Sequence, residues 1–202
     1  MNAAEIKSKV EAAMQTWPMP RILEAGPFVI HFVWLYHVMK ASEGLLKAAI
    51  ANSTGDLHSY YVEHLKEETG HASWLADDLR SIGIDVHDTQ APQTAIQMAG
   101  GQYYLINHVN PAALLGYMVV LECFPAPLDY VDQLEMVHGT DALRTFRFHA
   151  EHDVDHGADV LAMIDQLPDE DKKVVEQSAA QTCMYFSAHL HQLRKYEEDS
   201  ER

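Results

Sequence analysis

The segment from Ala112 to Phe124 reads AALLGYMVVLECF and is apolar on every side of a helical wheel. A helix of this kind is stable only when neighbours cover it all round. Its one charge is Glu122. An ionised carboxylate in such surroundings requires a cation, a lysine or arginine, or a raised pKa. The apolar stripes elsewhere in the chain carry histidines and carboxylates rather than lysines or arginines, so a metal ion is the simplest partner. The alternative is that Glu122 lies past the buried portion, beside Pro125, and faces water.

The remainder of the chain has helical rather than alternating periodicity, and no strand-like run with turn signals interrupts it. Asn2 caps a first helix to about Gln15, which Pro18 and Pro20 break. A second helix runs from Pro27 to Asn52, and Asp56 caps a third that continues to Ser81 before Gly83. A fourth begins between Thr89 and Pro92 and is interrupted at Asn110-Pro111, where the apolar helix starts. A short helix ends near Gly139. Thr140 then caps a long helix that stops at Pro168, and Asp169 opens a final helix into a charged tail. The class is all-α, one domain over residues 1–202, with short connections that imply antiparallel neighbours in a bundle.

The long helix contains FHAEHDVDHG, in which His149, Asp153 and His156 are spaced four and then three apart. At about 100° per residue they fall on one stripe. Asp153 lies inside the apolar arc marked by Phe146, Ala150, Val154, Leu161 and Ile164, with His149 and His156 at its edge. His152 lies further out and Glu151 on the far side. In the third predicted helix, Leu57, Tyr61, Leu65, Ala72, Leu75 and Leu79 form an apolar face that includes His64, Glu68 and His71. Glu67 points about 100° away, toward the edge or solvent. Taken singly, these are also what a solvated glutamate or a core histidine looks like. Taken together, Glu68, His71, Glu122, His149, Asp153 and His156 supply three carboxylates and three imidazoles on core-facing stripes. Di-iron bundles use a carboxylate-x-x-His pair from each of two helices plus carboxylates from the others. Here Asp replaces one Glu, and His149 replaces a carboxylate. His64 is a seventh ligand, a donor behind the ligands, or a satisfied core histidine. The ligand types admit iron, and manganese or a mixed pair as well.

Other residues carry weaker signals. Tyr103, Tyr104 and His108 either line a cavity or pack. Phe28, His31, Phe32, Trp34, Leu35 and His37 form an aromatic-rich stretch read as core. His189 and His191 face different sides and are assigned no role. Cys123 and Cys183 stand in no motif and read as buried free thiols of a reducing compartment. The 202 residues suffice for a core without staples. The formal charge of -16 argues against nucleic acid or an anionic membrane as partner. The first residues read as an amphipathic helix rather than a signal peptide, and Pro27–Tyr36 is too short to span a bilayer. A cytoplasmic protein with no membrane partner is expected.

The segments HLKEETGHASWLADDLRSIG, NPAALLGYMVVLECFP and FHAEHDVDHGADVL resemble the haem-oxygenase-like di-iron oxidases, the iron-containing redox enzymes. The most specific piece is His-x-x-x-Asp-x-x-His, matched by His149, Asp153 and His156. The family's central glutamate falls on Glu122 and its earlier histidine on His71. Its first glutamate falls on Glu68 in members that place it three residues before that histidine. Members that place it seven before have it where this chain has His64. The resemblance implies a haem-oxygenase-like bundle of about seven helices, usually a homodimer. It also implies two iron ions, Fe(II) when they meet the co-substrate O₂, and oxidation of a small-molecule substrate by N-oxygenation or oxidative C–C cleavage. Two other readings stay open. One is a thiaminase-II-like or pyrroloquinoline-quinone-synthase-like enzyme without metal, which needs a nucleophilic cysteine or a cofactor pocket. The other is a non-enzymatic metal or haem binder, or an interaction protein, of the same fold.

Overall fold

The computed structural model describes residues 2–200, and these are almost entirely helical. Helix α1 is Ala3–Met14, α2 Ala25–Asn52, α3 Gly55–Glu68, α4 His71–Ser81 and α5 Gln93–His108. Helix α6 is Ala113–Glu122, α7 Leu128–His138, α8 Arg144–Gln166 and α9 Asp169–Ser200. Asn2 caps α1 as the sequence predicts, in a reciprocal pair: its side chain accepts from Glu5 N at 2.9 Å and its own N–H donates to Glu5 Oε2 at 3.0 Å.

Two predicted elements are corrected. The helix expected from Asp56 to Ser81 is broken at Thr69–Gly70 into α3 and α4. Gly70 adopts φ +97°, a left-handed conformation that ends a helix and that side chains rarely tolerate. Its N–H donates to Glu43 Oε1 of α2 at 3.1 Å, which fixes the break against the longest neighbour of α3. Asp56 lies within the first turn of α3 rather than capping it; the cap position is Thr54. Thr140, expected to cap the long helix, instead opens a 3₁₀ turn, Thr140–Ala142, and α8 begins at Arg144.

Helix α6 is central, as its all-round apolar surface requires. Every residue from Ala113 to Val120 is buried, and α9, α8, α5, α1 and α2 surround it. Such enclosure needs backbones to approach closely, and two glycines permit it. A Cβ on Gly116 would collide with the Val175 carbonyl of α9 and lie 2.7 Å from Ala179 N. A Cβ on Gly157 of α8 would lie 3.0 Å from Cys123 Cα and from Glu122 O, at the end of α6. The core divides into a larger cluster around α6 and a second one between α2, α4, α7 and the end of α9.

Two polar groups of this core pair across helices. Gln102 of α5 donates to Thr182 Oγ1 at 3.1 Å and accepts from Ser178 Oγ at 3.0 Å, both on α9. His31 Nδ1 lies 3.1 Å from His189 Nε2, and the His189 ring stacks on Trp34. His189, assigned nothing from sequence, is therefore a core residue. One ring of this pair must donate and the other accept, so the two cannot both be protonated. Burial lowers the pKa of His31 from 6.5 to about 4. Burial and then the neighbouring His31 lower that of His189 to about 3.

Gly116→Ala is expected to destabilise the fold by about 2 kcal/mol or more in chemical denaturation, because a backbone carbonyl cannot yield. Gly100→Ala, in an open position of α5, is expected to stabilise it by about 0.5–1 kcal/mol. Because the folded pKa values of His31 and His189 lie below that of the free side chain, their contribution is fully present above pH 6.5. It declines as pH falls from 6.5 toward about 3. Urea unfolding across that window is expected to show a shallower decline in His189→Phe than in the parent chain.

Candidate metal centre

Four helices converge on one spot. Helix α3 brings His64 and Glu68, α4 brings His71, α6 brings Glu122, and α8 brings His149, Asp153 and His156. The break at Gly70 changes how the first pair is built. Glu68 is the last residue of α3 and His71 the first of α4, so they meet across a hinge rather than along one helical turn. They still approach closely, His71 Nδ1 lying 3.3 Å from Glu68 Oε2. Ligand atoms of Glu68, His71 and His149 all lie within 4.8 Å of one another, a spacing that suits one cation.

A second, looser group adjoins the first. His64 Nε2 lies 3.3 Å from Glu122 Oε1, and His156 Nδ1 lies 3.8 Å from Asp153 Oδ1. The two groups are joined by Asp153, whose Oδ1 is 3.0 Å from His149 Nδ1. A neutral His149 that donates its Nδ1 proton to Asp153 leaves Nε2 as a lone-pair acceptor, the arrangement in which a carboxylate fixes a ligating imidazole. Glu67, read from sequence as edge or solvent, is half-exposed. It bridges the rim of this group, with Oε2 at 3.7 Å from His156 Nε2 and 3.8 Å from His64 Nδ1. Glu151 and His152 point away: Glu151 faces Arg147, and His152 is exposed and stacks on Phe148.

The electrostatics follow from burying several charges together. Burial raises the pKa of Glu122, and Glu68 and Asp153 add to this, although His64 opposes it. Burial disfavours the charged form of His64, but Glu122, Glu68 and Glu67 outweigh it and raise its pKa. His149 is raised in the same way, with Asp153 outweighing burial. For Glu68, burial is outweighed by His71, His149 and His64, and its pKa is lowered. Several buried atoms in the cluster have no hydrogen-bond partner among the described residues: His71 Nδ1, His149 Nε2, Glu122 Oε2 and His156 Nδ1.

A cavity of about 140 Å³ opens onto His64, Glu68, Glu122, His149 and Asp153. Its wall is mainly apolar, from α2, α6 and α8, and no lysine or arginine lines it. Phe32 and Leu35, read as core, belong to this wall, whereas Tyr103 and Tyr104 lie elsewhere and are partly exposed. A separate hollow of about 240 Å³ reaches His64 and His156 from an acidic side formed by Glu63, Glu67 and Asp159, with Tyr60 beside them.

Two polar residues near the centre escaped the sequence reading. Asp78 of α4 is buried, and its carboxylate accepts from Thr145 N at 2.7 Å and from Arg144 Nε at 3.0 Å. It caps α8 from another helix, since Leu143 at the cap position offers no side-chain acceptor. Thr145 lines the cavity one turn before His149, on the same face. Extending the His149 stripe back by one turn would have found Thr145; no local pattern marks Asp78.

The model of a family described as iron-containing redox enzymes matches residues 29–189. Among curated proteins none matches the sequence. A domain of unknown function with a heme oxygenase-like fold from Shewanella denitrificans OS217 superposes with a TM-score of 0.78 at 18% identity, over 96% of this chain and 91% of that one. A TenA homologue from Pseudomonas syringae pv. tomato DC3000 superposes with a TM-score of 0.75 at 7% identity, again over 96% and 91%. The fold is haem-oxygenase-like.

Asp78→Ala is expected to cost about 1–3 kcal/mol in denaturant unfolding, because the first-turn N–H of Thr145 loses its acceptor in a buried site. Asp78→Asn, which keeps one acceptor oxygen, is expected to cost less.

Proposed function

Because the chain belongs to the iron-containing redox enzyme family, we propose that the cluster on α3, α4, α6 and α8 holds two iron ions and oxidises a small molecule with O₂. The observation that carries this reading is the set of buried, unpartnered donor atoms on His71, His149, Glu122 and His156, converging in one place. Leaving polar atoms buried and unpaired is costly unless a bound group satisfies them. Mixed imidazole and carboxylate donors suit iron, and they suit manganese as well.

Glu68, His71 and His149 form one set of ligands. Glu122, Asp153 and His156 form the other, with His64 against Glu122. Ferrous iron bound there supplies the redox chemistry that reduces dioxygen and oxidises the substrate. The chain's own part is positional and electrostatic. Asp153 holds the His149 ring in one tautomer and orientation. His64 Nε2 stands 3.3 Å from Glu122 Oε1 at the cavity wall, where the surrounding carboxylates raise the His64 pKa against burial. The apolar walls exclude water from the reacting groups.

The reading without metal requires a nucleophilic cysteine or a cofactor pocket, and neither thiol meets the first requirement. Cys123 lies against the Gly157 carbonyl at 3.5 Å, outside the cavity lining, and burial pushes its pKa up to about 12. Burial pushes the Cys183 thiol up to about 11. A thiol so far above neutrality is a poor nucleophile. The haem reading needs room for a macrocycle, and a cavity of about 140 Å³ does not provide it.

Anaerobic Fe(II) titration of the metal-free chain tests the proposal. Binding of about two ions per chain is expected, as in carboxylate-bridged bundles, with oxygen uptake on exposure to air. His149→Ala and Asp153→Ala are expected to lose iron binding while keeping the helical circular dichroism spectrum. Glu151→Ala is expected to match the parent. Equal behaviour of all three variants would remove the basis for the assignment.

A further inference from the structure

Thr145 stands out among the residues that neither the fold nor the metal cluster uses. It is 2% exposed, and its hydroxyl has no hydrogen-bond partner among the described residues. Its backbone N–H, by contrast, is firmly held by Asp78. A buried threonine ordinarily returns its hydroxyl to a carbonyl one turn back in its helix. Here the residue sits in the first turn of α8, where the preceding backbone is the 3₁₀ turn and the extra residue Leu143, and that return is not made. A valine in this position would fill the same space without the cost of an unpaired hydroxyl. Thr145 forms part of the wall between the apolar cavity and a shallow outer hollow beside Trp74 and Arg144.

The rest of that cavity defines what accompanies such a contact. Phe32, Leu35, Met39, Leu114, Met118 and Phe146 supply its apolar surface. The other hydroxyls on its wall are already committed to each other, Ser42 Oγ lying 3.0 Å from Tyr117 OH. With no lysine or arginine in the lining, nothing there other than a metal or a protonated histidine neutralises an anionic group. The volume, about 140 Å³, is close to the roughly 150 Å³ of an engineered apolar cavity that takes up benzene.

We infer that the cavity takes a compact apolar molecule, about one aromatic ring in size, bearing a single uncharged polar group, and that Thr145 is the specificity residue that hydrogen-bonds this group beside His149. This names the substrate class of the proposed oxidation site and rests on that reading for its catalytic meaning. The binding claim stands on the cavity and the hydroxyl alone. Thr145 orients the molecule, and the apolar wall supplies most of the affinity.

The test uses ¹⁹F NMR titration of the full chain with 4-fluorophenol and 4-fluorotoluene, before and after anaerobic loading with Fe(II). Both probes are expected to bind, the phenol about five- to tenfold more tightly, the increment of one hydrogen bond. Thr145→Val is expected to bring the phenol down to the affinity of the toluene and to leave the toluene within about twofold. It is also expected to raise the thermal midpoint by about 2–4 °C, since an unpaired buried hydroxyl is removed; a hydroxyl that serves the fold would lower it. Leu35→Phe, which fills the cavity, is expected to abolish both. Failure of either probe to bind, unchanged phenol affinity in Thr145→Val, a lowered midpoint in that variant, or undiminished binding in Leu35→Phe each overturns the inference. Iron stoichiometry is read on the same samples. Iron bound without probe overturns this inference and leaves the metal reading intact. Probe bound as expected without iron supports the cavity assignment and removes the metal reading.

Discussion

Three carboxylates inside a helical core, with no lysine or arginine lining the cavity they face, set the terms for the rest of this structure. Glu68, Glu122 and Asp153 cannot all be ionised there without opposite charge. Glu122 has the hardest position. It is the last residue of α6, where the helix dipole presents its negative end and adds to the cost of burial. The imidazoles of His64 and His149 respond by holding protons more tightly, and those of His71, His149 and His64 draw the pKa of Glu68 down. The response is partial, because donor atoms on four of the residues remain without partners. A cluster with surplus negative charge and free donor atoms is suited to a cation, which would invert the local preference for protonation.

Backbone devices far simpler than the cluster hold it together. Gly116 lets α9 close onto α6, and Gly157 lets α8 close onto the end of α6, beside Glu122. The left-handed Gly70 turns the chain between Glu68 and His71 so that both can reach the same point from different helices. Asp78 fixes the start of α8, the helix that carries three of the clustered residues. Each device acts on the separation or direction of a helix axis, and the side chains inherit their geometry from it.

The centre is approached from two chemically different sides. The apolar cavity, at the junction of the two core clusters, reaches His149 and Asp153 without offering a charge of its own beyond the cluster. The hollow beside His64 and His156 is bordered instead by three carboxylates, those of Glu63, Glu67 and Asp159. Glu67, half-exposed and within reach of both histidines, stands between the acidic hollow and the buried groups. None of the nine helices has a stretch long and apolar enough to cross a membrane among the described residues.

What the sequence determined by itself was the all-helical class, the central position of α6 and the sharing of stripes by His149, Asp153 and His156. Periodicity and the cost of burying charge act within single segments, and a single segment carries their record. The chain also carried its resemblance to the iron-containing redox enzymes, which the family match bears out. Tertiary structure alone decided the break between Glu68 and His71, because a glycine with no proline nearby reads equally well as helix interior or hinge until Glu43 is seen to hold its N–H. It alone assigned Asp78 as the cap of a helix 66 residues away in the chain, and His31 and His189 as partners 158 residues apart. It also decided that Glu67 stands at the rim with His156, and that the Thr145 hydroxyl is left unpaired on a cavity wall. Partners in hydrogen bonds across helices depend on axis distances and rotations set by close packing, and no local pattern of residue types encodes those.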